Sequence, residues 1–185
     1  MGLELLLLPL SLVTLLAVIG GFVLMEVLRK SDERAWLSCW AAYARGRELA
    51  LVEGVLRGGG HEIATVRVRG RLHTRASIVP EVPLLVELTV VRGRAGAVPS
   101  GDEAFDSAFG IRATPVTMAE RVLSPELRTR LQAFHLGQDL RFGYARGRFT
   151  LLWPGAEQSH ARLDEARSIL SAALATTGSQ VRRSA

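Results

Sequence analysis

The 185-residue chain has one cysteine, Cys39, one lysine, Lys30, and no asparagine. A lone thiol forms no internal disulfide, which excludes a cross-linked extracellular scaffold and suits a reducing compartment. The histidines His61, His73, His135 and His160 stand singly, Cys39 has no CxxC partner, and HExxH is missing. Metal centres need several such ligands converging, so no metal and no cofactor is expected. There is no G-x-S-x-G elbow, and Gly58-Gly59-Gly60 lacks the G-K-[ST] that completes a phosphate-binding loop. Cys39 lies between Trp36 and Trp40 in a helical pattern, where a small hydrophobe is expected rather than a nucleophile. Together these absences argue against an enzyme.

What the chain does have is one long apolar run. Leu5 to Met25 carries no charge over 21 residues, and at 1.5 Å rise per residue it reaches roughly 30 Å, the thickness of a bilayer's hydrocarbon core. The 48% hydrophobic content of the whole chain is therefore an anchor added to a domain of ordinary composition. No Lys or Arg precedes the run and no small-x-small cleavage site follows it, so an uncleaved anchor is preferred over a signal peptide. Arg29, Lys30 and Arg34 follow closely, and the positive-inside rule puts the C-terminal domain in the cytoplasm. The expected location is a membrane, crossed once. Ala17 and Gly21 form a small-xxx-small pair, a weak signal for self-association of the membrane helix.

The predicted organisation is a membrane anchor and flank over 1–30, a soluble α+β domain over 31–178 and a flexible tail over 179–185. A helix is expected from Glu26 to about Arg45, with Trp36, Trp40 and Tyr43 facing a core in preference to a membrane interface. Strands are expected at 48–56, 62–72 and 83–91, giving a small antiparallel sheet with one wet face. The stretch 93–116 reads as a long connection with a short structured centre. Thr117 to Glu120 fits a capping box, and Ser124-Pro125-Glu126 fits an N-cap with proline at the first helical position. Leu127, Leu131 and Phe134 share a helical face. A hairpin follows, turning at Arg146-Gly147, with Phe142, Tyr144, Phe149, Leu151 and Trp153 inward. Leu163, Ala166, Leu170 and Ala173 mark a last amphipathic helix ending near Gly178.

Net charge is +5, and 22 of the 23 basic residues are arginine. Strict alternation over 62–72 places Ile63, Thr65 or Val66, and Val68 toward the core. Arg67, Arg69 and Arg71 then form a row on the opposite face, with Arg75 continuing it. Like charges in a row repel unless they are solvated, paired or matched to an anionic partner. Arg67, Arg69, Arg71 and Arg75 are thus the candidate contact with a protein partner or with anionic lipid headgroups. No aromatic residue is interleaved with these arginines, which argues against nucleic acid. Asp102, Glu103 and Asp106 lack the D-x-D-x-D spacing of a calcium loop; a short capped helix presenting Phe105 and Phe109 to the core is preferred.

Two short motifs carry a resemblance: Gly101-Asp102-Glu103-Ala104-Phe105-Asp106-Ser107-Ala108-Phe109 and Leu123-Ser124-Pro125-Glu126-Leu127. A G-D-x-x-F-D-x-x-F box followed by an L-[ST]-P-E-L helix start resembles a family of uncharacterised bacterial membrane-anchored proteins. The resemblance covers under half of the chain. It implies a membrane helix upstream and a hairpin and closing helix downstream, with no assigned reaction and no catalytic residues. The function expected is therefore protein interaction or scaffolding at the cytoplasmic face of the membrane. A peripheral lipid-binding module and an enzyme with an unrecognised site are the alternatives.

Overall fold

The computed structural model describes residues 4–84, 86–93, 98–134 and 139–181, with side chains described from residue 16 to residue 177 of these ranges. The chain divides into two compact units, 1–39 and 40–185. The first unit is formed by the helix α1, Glu4–Arg45, whose last turn belongs to the second. Among the described residues no helix is long and apolar enough to cross a membrane. The predicted anchor 5–25 is helical throughout, but the side chains of its first part, 5–15, lie outside the described residues. From Leu16 to Leu28, apolar side chains are bared on every side of the helix, from 49% exposure at Ile19 to 70% at Phe22.

The second unit holds one eight-stranded antiparallel sheet in the order β1-β2-β3-β4-β8-β7-β5-β6. The strands are β1 Ala50–Val52, β2 Val55–Gly58, β3 His61–Val68, β4 Arg71–Ile78, β5 Glu87–Arg92, β6 Phe109–Thr114, β7 Arg141–Ala145 and β8 Arg148–Pro154. Four of the connections are two residues long: Glu53-Gly54, Gly59-Gly60, Arg69-Gly70 and Arg146-Gly147. All eight of these residues have positive φ, between 50° and 79°. That backbone matches the right-handed twist of the flanking strands and needs glycine at its second position, which every pair supplies.

Three expectations are corrected here. The predicted strand 48–56 is two strands broken at Glu53-Gly54. The predicted strand 62–72 ends at Val68, turns at Arg69-Gly70 and returns as β4. Alternating polarity runs through such a two-residue turn without a visible break, so periodicity alone joined the strands. The connection 93–116 contains both the helix α2, Glu103–Ala108, and the strand β6, which pairs with β5.

Residues directly opposite each other in an antiparallel pair share a face. One face therefore collects Ile63, Ala76, Phe149, Leu151, Trp153, Phe142, Tyr144, Leu88, Val90 and Ile111, all buried. Burying an aromatic or branched side chain stabilises the fold by roughly 1.5–3 kcal/mol each, so this face is the core. The helices α2, α3 (Met118–Val122), α4 (Pro125–Phe134) and α5 (His160–Val181) form a single layer on it. Leu127, Leu131 and Phe134 of α4 and Leu163, Ala166, Leu170 and Ala173 of α5 are buried, as their spacing predicts. Trp40 and Tyr43 are buried in the same unit; the Trp40 indole N–H donates to the Glu157 carbonyl at 2.7 Å. The helix α5 continues to Val181, into the predicted tail, and residues 182–185 lie outside the described residues.

The two motifs are capping devices. Gly101 has φ +79°, and Asp102 behind it caps α2 by accepting from the Phe105 N–H at 3.0 Å. Both Asp106 oxygens accept from the Ser100 N–H, and the rings of Phe105 and Phe109 stack 4.5 Å apart. Ser124 accepts from the Leu127 N–H at 3.2 Å and starts α4. Thr117 does not cap α3: its own backbone is already helical, and its side chain makes no cap hydrogen bond.

Candidate functional site

The opposite face of the sheet carries no helix of the α2–α5 layer, and it is basic. Register places Arg57, Arg71, Arg75, Arg112, Arg141 and Arg148 on it against Glu62 and Glu87. Arg75, Leu152, Arg141 and Val91 form one row across β4, β8, β7 and β5. Neighbouring strands lie about 4.8 Å apart, so Arg75 and Arg141 sit roughly 10 Å from each other along that row. Glu62 serves two arginines, Arg57 at 3.5 Å and Arg75 at 3.2 Å. Arg71, Arg112, Arg141 and Arg148 have no carboxylate within salt-bridge distance among the described residues, which leaves a net cationic surface.

The predicted row of four arginines is only half there. Arg71 and Arg75 occupy the open face as expected. Arg69 stands in the β3–β4 turn with φ +50°, and Arg67 points to the helix-bearing face, opposite Leu72, donating to the Gly70 carbonyl at 3.4 Å. Within β3, Ile63 faces the core side as expected and Thr65 with it, but Arg67 shares that side, while Val66 and Val68 face outward. The members that sequence reasoning missed, Arg57, Arg112, Arg141 and Arg148, come from four other strands. Arg141 and Arg148 were accessible to it, because they occupy the outward parity of the hairpin whose inward set was predicted. Ala17 and Gly21 are both exposed on α1, and a methyl group built on Gly21 would meet nothing within 4 Å.

Two shallow pockets open on this face. One, of about 310 Å³, lies at the β2–β3 end and includes Arg57, His61, Glu62, Ser77 and Arg148. The other, of about 360 Å³, lies at the β3–β4 turn and is lined by Val68, Arg69, Arg71, His73, Asp139 and Arg141. His73 is buried there, and its Nδ1–H donates to the Arg71 carbonyl at 3.1 Å. That bond fixes the tautomer and leaves Nε2 as the other functional nitrogen.

On the helix side, Ser171 Oγ lies 3.2 Å from His61 Nε2. Burial, then the positive charge of Arg167, push the His61 pKa below its ordinary 6.5, so the ring is neutral near pH 7. A nucleophile–base pair needs a third group to orient the base. The His61 Nδ1 atom is buried without a hydrogen-bond partner, so no third group orients this ring from its other side. The pair is a structural contact between α5 and β3. Nearby, Asp164 accepts from Arg47 through both oxygens at 2.8 and 2.7 Å and from the Tyr43 hydroxyl at 2.8 Å. Arg47 holds its carboxyl below the ordinary carboxylate range. Asp164 is thus committed to Arg47 and Tyr43, and the His160 ring lies 5.4 Å from that of Tyr43. Among the described residues, no three His, Cys, Asp or Glu side chains converge as a metal site would require.

No known family model matches the chain, and no curated protein does. Among solved structures, the fold is similar to the mycobacterial trehalose monomycolate transport factor A, TtfA, with a TM-score of 0.51 and 11% identity. The match covers 77% of this chain and 94% of that one. At that identity the likeness is one of fold.

Proposed function

We propose that this chain is a non-enzymatic accessory protein held at a bacterial membrane by its N-terminal helix, which presents the open sheet face to an acidic protein partner in the cytoplasm. The observation that carries the reading is the open face itself: six arginines from five strands surround two glutamates, and four of the arginines lack a carboxylate partner among the described residues. A sheet face that only needed solvation would be expected to mix both signs, since like charges repel across strands. The anchor is supported by the uncharged run 5–25 and by the apolar side chains bared all round α1 from Leu16 to Leu28, which water solvates poorly. The neighbour in fold is a transport factor, which fits an auxiliary role in membrane traffic. The box motifs add the same association with membrane-anchored proteins, although their residues act here as helix caps.

The test is crosslinking in intact membranes with the full chain and with Arg112→Glu/Arg148→Glu. A partner recovered with the parent chain and lost with the double variant supports the reading. Recovery unchanged by both charge reversals removes this face from the interaction. For the anchor, the chain should stay with the membrane through alkaline carbonate washing; release into the wash would remove the membrane claim.

A further inference from the structure

The pocket at the β3–β4 turn differs from the rest of the open face, because its cations converge. Arg69 comes from the turn, Arg71 from the start of β4 and Arg141 from the start of β7. Three arginines thus line one concavity of about 360 Å³ together with the buried His73. None of the three arginines has a carboxylate within salt-bridge distance among the described residues. Asp139 also lines the pocket, and Val68 supplies an apolar patch. Guanidinium groups present paired N–H donors that match phosphate oxygens, and such charge-assisted bonds are about twice as strong as neutral ones. The His73 Nδ1–H is occupied by the Arg71 carbonyl, which ties the ring to the strand that carries Arg71 and leaves Nε2 to accept from a ligand hydroxyl. The volume lies at the low end of small-molecule sites, larger than a bare anion needs and suited to a phosphate joined to a small alcohol. Asp139 would accept from a hydroxyl on that alcohol, as ionised carboxylates only accept.

We propose that Arg69, Arg71 and Arg141 bind the phosphate of a small phosphate ester, either a phospholipid headgroup or a soluble glycerophosphate, whose hydroxyl donates to His73 Nε2. The site does not depend on the protein partner, since it uses one end of the face and needs only a phosphate.

Two experiments on the full chain test the site, both read from the arginine Nε–H and histidine ring NMR signals. First, sn-glycerol 3-phosphate is titrated into the chain in phosphatidylcholine nanodiscs. The signals of Arg69, Arg71, Arg141 and His73 should shift together and saturate. Arg71→Ala and Arg141→Ala should each weaken binding about tenfold, the equivalent of one charge-assisted hydrogen bond. Arg112→Ala, on the same face at its far edge, should leave binding unchanged. Second, the chain is placed in phosphatidylglycerol nanodiscs with no soluble phosphate. The same shifts there identify the headgroup as the source; their restriction to the soluble ester identifies a free ligand. Absence of saturable shifts with either probe overturns the site. Equal weakening by Arg112→Ala also overturns it, because binding would then be general attraction to a basic face. A failure here leaves the crosslinking result intact, since Arg112 and Arg148 do not line this pocket.

Discussion

His61 and Asp164 give the residue-scale expectations: both lose stability as pH falls, from different causes. His61 has a folded pKa below its ordinary 6.5, through burial and then the Arg167 charge. As pH falls below 6.5 the unfolded chain takes up the proton first, so stability declines until the folded pKa is passed. The full chain should therefore lose urea resistance below pH 6.5, and His61→Gln should flatten that part of the curve. Identical pH slopes for the two chains would show that His61 is not the group responsible. Asp164 has a folded pKa below its ordinary 3.8, chiefly through its bond to Arg47, so its stabilisation is present above that value and lost as pH drops through the folded pKa. Its side chain is 43% exposed, and solvent screening reduces what the ion pair contributes. Asp164→Asn should cost about 1 kcal/mol at pH 7, read from chemical denaturation. A neutral result would mean that the Tyr43 and Arg47 contacts exchange with water at no cost.

Among elements, the four two-residue turns set the register and have the clearest local signature. Arg146 stands at φ +52°, where a side chain other than Asn or Asp is strained, and it borders neither pocket. Arg146→Asn should raise stability by about 0.5–1 kcal/mol, seen as a higher thermal midpoint. A lower midpoint would mean that the arginine makes a contact worth more than its backbone strain. These turns also explain what the sequence made legible. The 145–148 hairpin was readable because Arg146-Gly147 separates two runs of large alternating apolar residues. At Arg69-Gly70 the flanking residues are Arg67, Val68, Arg71 and Leu72, whose modest alternation reads equally well as one strand or two. The strand β6 was hidden because Phe109-Gly110-Ile111 follows the capped helix α2 without a turn signal. The candidate face suffered most from this, since its arginines lie on five strands and only the register brings them together. Arg67 was lost from it by parity, since it shares the odd positions of β3 with the buried Ile63, while the turn after it put Arg71 and Arg75 on the open face.

Over the molecule as a whole, the tightest constraint lies where β7 meets β5. A methyl group built on Gly143 would stand 2.3 Å from the Leu88 carbonyl oxygen, and main-chain atoms cannot move aside as a flexible side chain can. Gly143→Ala should destabilise the fold by about 3 kcal/mol or more, read as a lowered denaturation midpoint or loss of soluble folded chain. Ordinary stability in that variant would mean that β5 and β7 slide apart without cost. The core face was predictable in kind because buried aromatic and branched residues alternate. The sheet order was not, because β4–β8 and β5–β7 pairings join segments distant in the chain.

The β4–β8 seam has one further consequence. Ile78 and Phe149 face each other across it, although β5, α2, β6, α3, α4 and β7 all lie between them in the chain. On the ribosome the first four strands emerge as a complete meander, while β4 waits as an open edge until the final hairpin is made. At about 5–20 residues per second that interval lasts several seconds, long enough for the edge to recruit another nascent chain. Charged side chains along a strand are a known deterrent to such pairing, and β4 carries Arg71 and Arg75. The same arginines that furnish the finished surface are therefore placed to guard the unfinished one.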